Sequence, residues 1–144
     1  MNDATIHTGA CFCGAVQLRV SGAPALMGYC HCESCRKWSA APVNAFTLWP
    51  PQTVQITEGA EHLRSFNLTP KSFRKWCVKC GGHVLTEHPQ MGLTDVYAAA
   101  IRKFEFKPAI HVFYSETALR LRDGLPKMKD LPKEAGGSGE TVPE

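Results

Sequence analysis

The chain has 144 residues, of which 44% are hydrophobic and 20% charged, and its formal net charge is +3. This composition is ordinary for a globular protein of one domain, and the charge is smaller than nucleic-acid-binding proteins usually show. No apolar run approaches the ~20 residues of a membrane-spanning helix, and the N-terminus lacks the basic and apolar regions of a secretory signal. We therefore expect a cytoplasmic protein with neither a nucleic-acid nor a membrane partner.

Short segments of alternating polarity follow one another along the chain. The first, "AVQLRV", places Val16, Leu18 and Val20 on one face and Gln17 and Arg19 on the other. Further short runs rich in β-formers are "TVQIT", "HLRSFNL", "HVLTE", "DVYAAAI" and "IHVFY", and glycine, proline and asparagine separate them. Only "ESCRKWSA" predicts a short helix. The pattern predicts an all-β fold.

The ends of the chain differ in composition from the middle. We expect residues 1–7 to be a flexible N-terminus and residues 8–132 to form the folded domain. The last segment, "KEAGGSGETVPE", is rich in glycine and lacks aromatic residues, which predicts a disordered tail over residues 133–144.

All seven cysteines lie in three tight groups: "CFC" (Cys11 and Cys13), "CHCESC" (Cys30, Cys32 and Cys35) and "CVKCGG" (Cys77 and Cys80). Cytoplasmic thiols stay reduced, so clustered cysteines there indicate metal binding or catalysis. Disulfides fit poorly, because the number is odd and a Cys-x-Cys bridge is strained. A thioredoxin-like role requires a helix after "CVKC", and "GGHVL" does not predict one. An iron–sulfur cluster on the same thiolates stays open.

The spacing favours two zinc sites of different kinds. "CVKCGG" is typical of a zinc knuckle, whose turn is closed by a glycine in the left-handed conformation, and "CFC" can supply the other two ligands, with Phe12 pointing away into apolar surroundings. Cys30, Cys32 and Cys35 then remain for a second ion with an open fourth position, the pattern of catalytic zinc. The pairing is not forced, since Cys32 and Cys35 could instead join Cys11 and Cys13.

The order of these motifs resembles a known family. "CFCGAVQLRV", then "CHCESCRK", then "WCVKCGG" and a late "DGLPKM" are similar to the glutathione-dependent formaldehyde-activating enzyme/centromere protein V family. The resemblance runs from about Gly9 to Met128. Two departures are Ala40–Ala41, where a glycine is common in the family, and "GGHVL" after the knuckle.

The resemblance implies an Mss4-like fold of small coiled sheets clipped by zinc. It implies a structural zinc on Cys11, Cys13, Cys77 and Cys80, and a second, catalytic zinc on Cys30, Cys32 and Cys35. The implied activity is that of a carbon–sulfur lyase, the condensation of glutathione with formaldehyde to S-hydroxymethylglutathione.

The second site is suited to thiol chemistry, because a bound ion lowers the pKa of an incoming thiol. The candidates for clamping the carboxylates of glutathione are Arg36, Lys37, Arg102 and Lys103. We expect His31 to point away from the metal and His83 and His111 to be residues of strands. The alternative is a non-catalytic zinc-binding module for a protein partner, which a fourth protein ligand such as His31 would favour.

Overall fold

A computed structural model describes residues 5–144 as two compact units. Unit 1 contains the described residues up to Ala25 together with Thr47–Phe106, and unit 2 contains Leu26–Phe46 and Lys107–Glu144. Residues 1–4 of the predicted flexible N-terminus lie outside the described residues. The predicted domain limits stay predictions, although the first strand already begins at Ile6.

Short strands dominate the described part of the chain. The strands are β1 (Ile6–Ala10), β2 (Gln17–Ser21), β3 (Leu26–Cys30), β4 (Asn44–Trp49), β5 (Val54–Glu58), β6 (Leu63–Phe66), β7 (Phe73–Cys77), β8 (His83–His88), β9 (Leu93–Val96) and β10 (Ile110–Val112). The α-helix of this part is α1 (Glu33–Ser39). Single turns of 3₁₀-helix lie at Pro51–Thr53, Ala60–His62, Ala98–Ala100, Tyr114–Glu116 and Lys133–Ala135.

Unit 1 contains two antiparallel sheets. One has the strand order β1-β2-β5; in the other, β4 (from Thr47 onward), β9, β8, β7 and β6 are neighbours in that order. In β2 the side chains of Leu18 and Val20 are buried and those of Gln17 and Arg19 are exposed, as the alternation predicted. The apolar core is formed by Cys11, Val16, Leu18, Val20, Trp49, Cys77, Val84, Leu85, Val96 and Ile101. Two cysteines of the predicted knuckle site are therefore part of this core.

Unit 2 is built on a parallel pair of strands and the short helix. β3 pairs with β10, so that Val112 lies opposite Cys30. Helix α1 ends at Ala40, which has a left-handed backbone (φ 53°) and whose N–H donates to the carbonyl of Arg36. This conformation favours glycine, so the alanine at this position is a strained C-cap.

The predicted all-β class with several small sheets is confirmed, and so is the short helix at "ESCRKWSA". The tail carries backbone hydrogen bonds, from Lys129 N to Glu140 O (2.8 Å) and from Val142 N to Lys127 O (2.8 Å). The disorder predicted for residues 133–144 is not tested by these bonds and stays a prediction. Within residues 5–144, no helix has the length and apolar character needed to cross a membrane.

Candidate metal centres

Two turns in unit 1 bring four cysteines together. The "CFC" turn follows β1, and the "CVKC" turn follows the last residue of β7, where Gly81 N–H donates to the carbonyl of Cys77 (2.7 Å). Gly81 has φ +74°, the left-handed conformation that the sequence predicted for the residue after the second cysteine. Backbone N–H groups also point at sulfur atoms, from Val16 to Cys11 Sγ and from Gly82 to Cys80 Sγ (both 3.3 Å).

The spacing of the sulfur atoms fits a tetrahedral ion. The Sγ atoms of Cys11 and Cys13 are 3.7 Å apart, those of Cys13 and Cys77 are 3.9 Å apart, and all four lie within 4.8 Å of one another. A tetrahedron of sulfurs about 2.3 Å from zinc has edges of about 3.8 Å. This set, which we call the four-cysteine cluster, could therefore hold a thiophilic divalent ion.

The electrostatics of this cluster also favour a cation. Burial raises the pKa of Cys80, but hydrogen bonds from the backbone of Gly82 and Cys13 outweigh burial and bring the pKa to about 6. For Cys13, a backbone hydrogen bond from Ala15 lowers the pKa, but burial and the neighbouring thiols raise it to about 11. Ionising one thiol thus opposes ionising the next, a conflict that a bound cation removes.

Unit 2 brings Cys30, Cys32 and Cys35 together, and we call them the three-cysteine cluster. Cys30 ends β3, Cys32 is the N-cap of α1, and Cys35 lies in the first turn of the helix. Their sulfurs lie within 4.8 Å of one another, and Cys35 N–H donates to Cys32 Sγ (3.3 Å). Contact with the thiols of Cys32 and Cys35, together with burial, raises the pKa of Cys30. The donor set fits an ion that binds thiolates.

The structure therefore divides the seven cysteines into a group of four and a group of three, as the sequence analysis favoured. The two groups that could hold a metal ion, among the residues that the structure describes, have the predicted memberships. The identity of any metal, and the part each cysteine plays in binding it, remain proposals.

His31 does not contribute to the three-cysteine group. Its ring is fully buried, with Nδ1 2.7 Å from Thr117 Oγ1 and Nε2 2.8 Å from His111 Nδ1. Burial, followed by the nearby charge of His111, lowers the pKa of His31 to about 4. The ring is therefore a neutral group whose two nitrogens are both engaged away from the sulfurs.

The basic residues after "CHCESC" are also engaged. Arg36 donates from Nε to the carbonyl of His31 (3.0 Å) and from Nη2 to the carbonyl of Glu116 (2.9 Å). Lys37 forms an exposed ion pair with Glu33 (3.0 Å). The guanidinium of Arg36 therefore ties the cysteine segment to the loop after β10.

The orientation predicted for Phe12 is wrong. Its side chain is 92% exposed rather than buried in apolar surroundings. The prediction assumed an extended strand across "CFC", whereas the segment turns at Gly14 (φ +81°), and the turn directs Phe12 into solvent while both sulfurs face the cluster.

Sequence reasoning missed the polar interior of unit 2. His111 is in a strand as predicted, but its Nε2 lies 2.8 Å from Asp123 Oδ2. Lys127, 3% exposed, forms ion pairs with Asp123 (2.5 Å) and Glu144 (3.1 Å). The motif "DGLPKM", which contains Asp123 and Lys127, is the sequence signal that could have indicated this interior.

A cavity of about 330 Å³ lies elsewhere, in unit 1. It is lined by Pro51, Phe73, Glu87, His88, Pro89, Leu93 and Thr94. None of these is a cysteine, so the cavity is separate from the four-cysteine cluster of the same unit.

The fold and the two clusters define an all-β protein with two separate groups of cysteine thiols, each suited to a metal ion. The family model described as glutathione-dependent formaldehyde-activating enzyme matches residues 6–116, and the chain belongs to that family. The predicted resemblance is therefore confirmed.

Known proteins that are similar to this chain include a curated relative and a solved structure. An uncharacterized lyase of Schizosaccharomyces pombe is 29% identical over 75 residues, which are 52% of this chain and 53% of the relative. The chain thus spans about half the length of this curated relative. A crystal structure of a Rhodobacter sphaeroides protein matches with a TM-score of 0.58 and 20% identity, covering 68% of this chain and 90% of the other, which supports the fold alone.

Proposed function

We propose that the protein is a zinc-dependent carbon–sulfur lyase-type enzyme that acts on a thiol adduct of a small aldehyde. Family membership and the likeness to a protein named as a lyase support this class of reaction. The observation that carries the proposal is the three-cysteine cluster, in which three thiols converge and no fourth histidine, cysteine or acidic residue of the described chain joins them. Glutathione and formaldehyde are the first substrates to test.

Cys30, Cys32 and Cys35 would hold the ion from three directions. Zinc bound there with an open position would lower the pKa of an incoming thiol and so favour a thiolate at neutral pH. The chain orients one ligand before any ion binds, because the N–H of Cys35 already points at the sulfur of Cys32. The four-cysteine cluster, half of whose thiols lie in the core of unit 1, would hold a structural zinc.

The proposed reaction is balanced without an oxidant or reductant. The thiol sulfur forms a bond to the carbonyl carbon of the aldehyde, the carbon–oxygen double bond becomes single, and the thiol proton ends on that oxygen. The reverse reaction breaks the carbon–sulfur bond and regenerates thiol and aldehyde. A cytoplasmic location, where thiols stay reduced, is part of the proposal.

The alternative, a non-catalytic zinc-binding module, would be favoured by a fourth protein ligand at the second site. His31 was the candidate, but its two ring nitrogens are hydrogen-bonded to Thr117 and His111. This arrangement supports the enzyme over the module.

Zinc stoichiometry, measured together with catalysis, tests the proposal. We expect two zinc ions per wild-type chain, one in a folded Cys32→Ser variant, and loss of the fold in Cys77→Ser, because Cys77 is fully buried in the core. Carbon-13 NMR exchange between formaldehyde and its glutathione adduct should be faster with the wild type than without protein, and Cys32→Ser should abolish the acceleration.

Two results would contradict the proposal. One zinc per chain, lost together with the fold in both variants, would show a single scaffold site and favour the binding module. Two zinc ions without acceleration of any thiol–aldehyde exchange, over a panel of small thiols and aldehydes, would contradict the enzyme while leaving both metal sites in place.

A further inference from the structure

A line of hydrogen-bonded side chains crosses the interior of unit 2. Thr117 Oγ1 lies 2.7 Å from His31 Nδ1, His31 Nε2 lies 2.8 Å from His111 Nδ1, and His111 Nε2 lies 2.8 Å from Asp123 Oδ2. We call these four residues the histidine relay. Lys127 holds the far end through its ion pair with Asp123.

The two imidazole rings of the relay are packed tightly. Both are fully buried, and both meet the ring of Tyr114 edge-on, with centroids 4.8 Å away for His31 and 5.6 Å for His111. Tyr29 stacks on His111 with centroids 4.9 Å apart. A buried ring nitrogen that loses its hydrogen-bond partner is destabilising, so each ring is held in its orientation by its neighbour in the line.

The direction of the hydrogen bonds follows from their two ends. The single hydroxyl proton of Thr117 is donated to the carbonyl of Leu119 (2.7 Å), so His31 Nδ1–H donates to Thr117 Oγ1. At the other end, the carboxylate of Asp123 can only accept, so His111 Nε2–H donates to it. Thr117 thus fixes a proton on His31 Nδ1, and Asp123 fixes a proton on His111 Nε2.

The relay includes a residue of the segment that carries the three-cysteine cluster, because His31 lies between Cys30 and Cys32 in the chain. The backbone of His31 is also engaged: its N–H donates to the carbonyl of Val112 (3.1 Å), and its carbonyl accepts from Arg36 Nε (3.0 Å). All four polar groups of this one residue are therefore fixed, and with them the path of the chain through two of the three cysteines.

We propose that Asp123 and His111 are positioning residues for the three-cysteine cluster: acting through His31, they hold the sulfurs of Cys30 and Cys32 in the arrangement that binds a metal ion. This inference rests on the proposed metal site and gives a role to the "DGLPKM" motif, which lies about 90 residues from "CHCESC". Groups that orient metal ligands through hydrogen bonds typically change metal affinity by about 10- to 100-fold when they are mutated.

The test compares two aspartates of unit 2 in the full-length protein. Asp123→Asn removes the carboxylate at the end of the relay. Asp130→Asn is the matched control, because its Oδ1 accepts three hydrogen bonds, from Leu131 N, Ser138 N and Ser138 Oγ, and has none to the relay. Zinc affinity is measured by competition with a chromophoric chelator, and the visible spectrum of the cobalt(II)-substituted protein reports the geometry of the thiolate sites.

We expect Asp123→Asn to weaken zinc binding about tenfold or more at one site and to change its cobalt spectrum. The other site, on the four-cysteine cluster, serves as an internal reference and should keep its affinity. Asp130→Asn should leave both sites unchanged. Should Asp123→Asn fail to fold, Thr117→Val removes the acceptor at the opposite end of the relay and should weaken the same site.

Three results would overturn the inference. Unchanged zinc affinity in Asp123→Asn, or an equal loss in Asp130→Asn, would show that the relay serves the stability of unit 2 only. If Asp123→Asn does not fold, unchanged affinity in Thr117→Val would show the same. A wild-type chain that binds one zinc would instead refute the second metal site of the proposed function, so the two failures are distinguishable.

Discussion

Asp95 is a buried carboxyl whose ionisation should oppose folding. It lies in β9, 8% exposed, and its Oδ1 accepts one hydrogen bond, from the backbone N–H of Thr47 (3.1 Å). Burial raises the pKa of Asp95 from 3.8 to about 7, and the bond from Thr47 and the charge of Arg74 lower it only in part. The folded protein therefore binds the proton more tightly than the unfolded chain.

The sign and size of the effect follow from this difference. A raised pKa contributes stability that is present in full below pH 3.8 and is lost as the pH rises through about 7. At about 1.4 kcal/mol per pKa unit, the total is about 4 kcal/mol, of which about 2 kcal/mol is lost between about pH 5.5 and 8. Asp95→Asn removes this loss but buries an amide N–H₂ at a cost of about 1–3 kcal/mol. We therefore expect the variant to be about 1–3 kcal/mol more stable than the wild type at about pH 8.

Urea unfolding of zinc-loaded protein at several values of pH measures this effect. The difference in unfolding free energy between Asp95→Asn and the wild type should grow by about 2 kcal/mol from about pH 5.5 to 8. Asp130→Asn is the control, because hydrogen bonds from Ser138 lower the pKa of Asp130 and keep it charged throughout this range. Its stability should run parallel to that of the wild type. If the curve for Asp95→Asn is also parallel, the carboxyl is solvated in the folded protein and the reasoning fails.

Two further substitutions test unit 2. Ala40→Gly should raise the unfolding free energy by about 0.5–1 kcal/mol, because Ala40 ends α1 with φ 53°, and an unchanged or lower melting temperature would contradict the left-handed cap. Lys127→Met should lower the free energy of unfolding by about 3 kcal/mol, since it leaves Asp123 and Glu144 without their shared cation. The control, Lys129→Met, breaks the exposed pair with Glu140 and should change that free energy by less than about 0.5 kcal/mol. Equal effects of the two substitutions would show that Lys127 is solvated.

The sequence predicted those elements whose local pattern agrees with their burial. Alternation identified β2 and β5, and the polar, cysteine-containing segment "ESCRKWSA" identified α1. It did not identify β4, whose residues Phe46–Trp49 are all buried, because a strand covered on both faces shows no alternation. It also did not identify β7, "FRKWC", in which polar and apolar residues do not alternate regularly.

The cysteine clusters were predictable for a different reason. A Cys-x-x-Cys-Gly turn brings its own sulfurs together through local backbone geometry, and Gly81 confirmed the turn. The spacing did not force the pairing of the three groups, because Cys32 and Cys35 could also have joined Cys11 and Cys13. Phe12 was placed wrongly because the side of a turn on which a residue lies depends on the turn geometry, which a period-two pattern does not contain.

The histidine relay could not be read from local pattern at all. His31 and His111 are 80 residues apart, and each sits in a segment whose neighbours suggest another role, a metal ligand for the first and an apolar strand for the second. What joins them is the parallel pairing of β3 with β10, in which Val112 lies opposite Cys30, and this pairing carries no signal in either strand alone. In buried surroundings, two histidines need a fixed acceptor at the end of the line, and Asp123 supplies it. The "DGLPKM" and "CHCESC" motifs therefore belong to one hydrogen-bonded interior, in which His111 joins Asp123 of the first motif to His31 of the second.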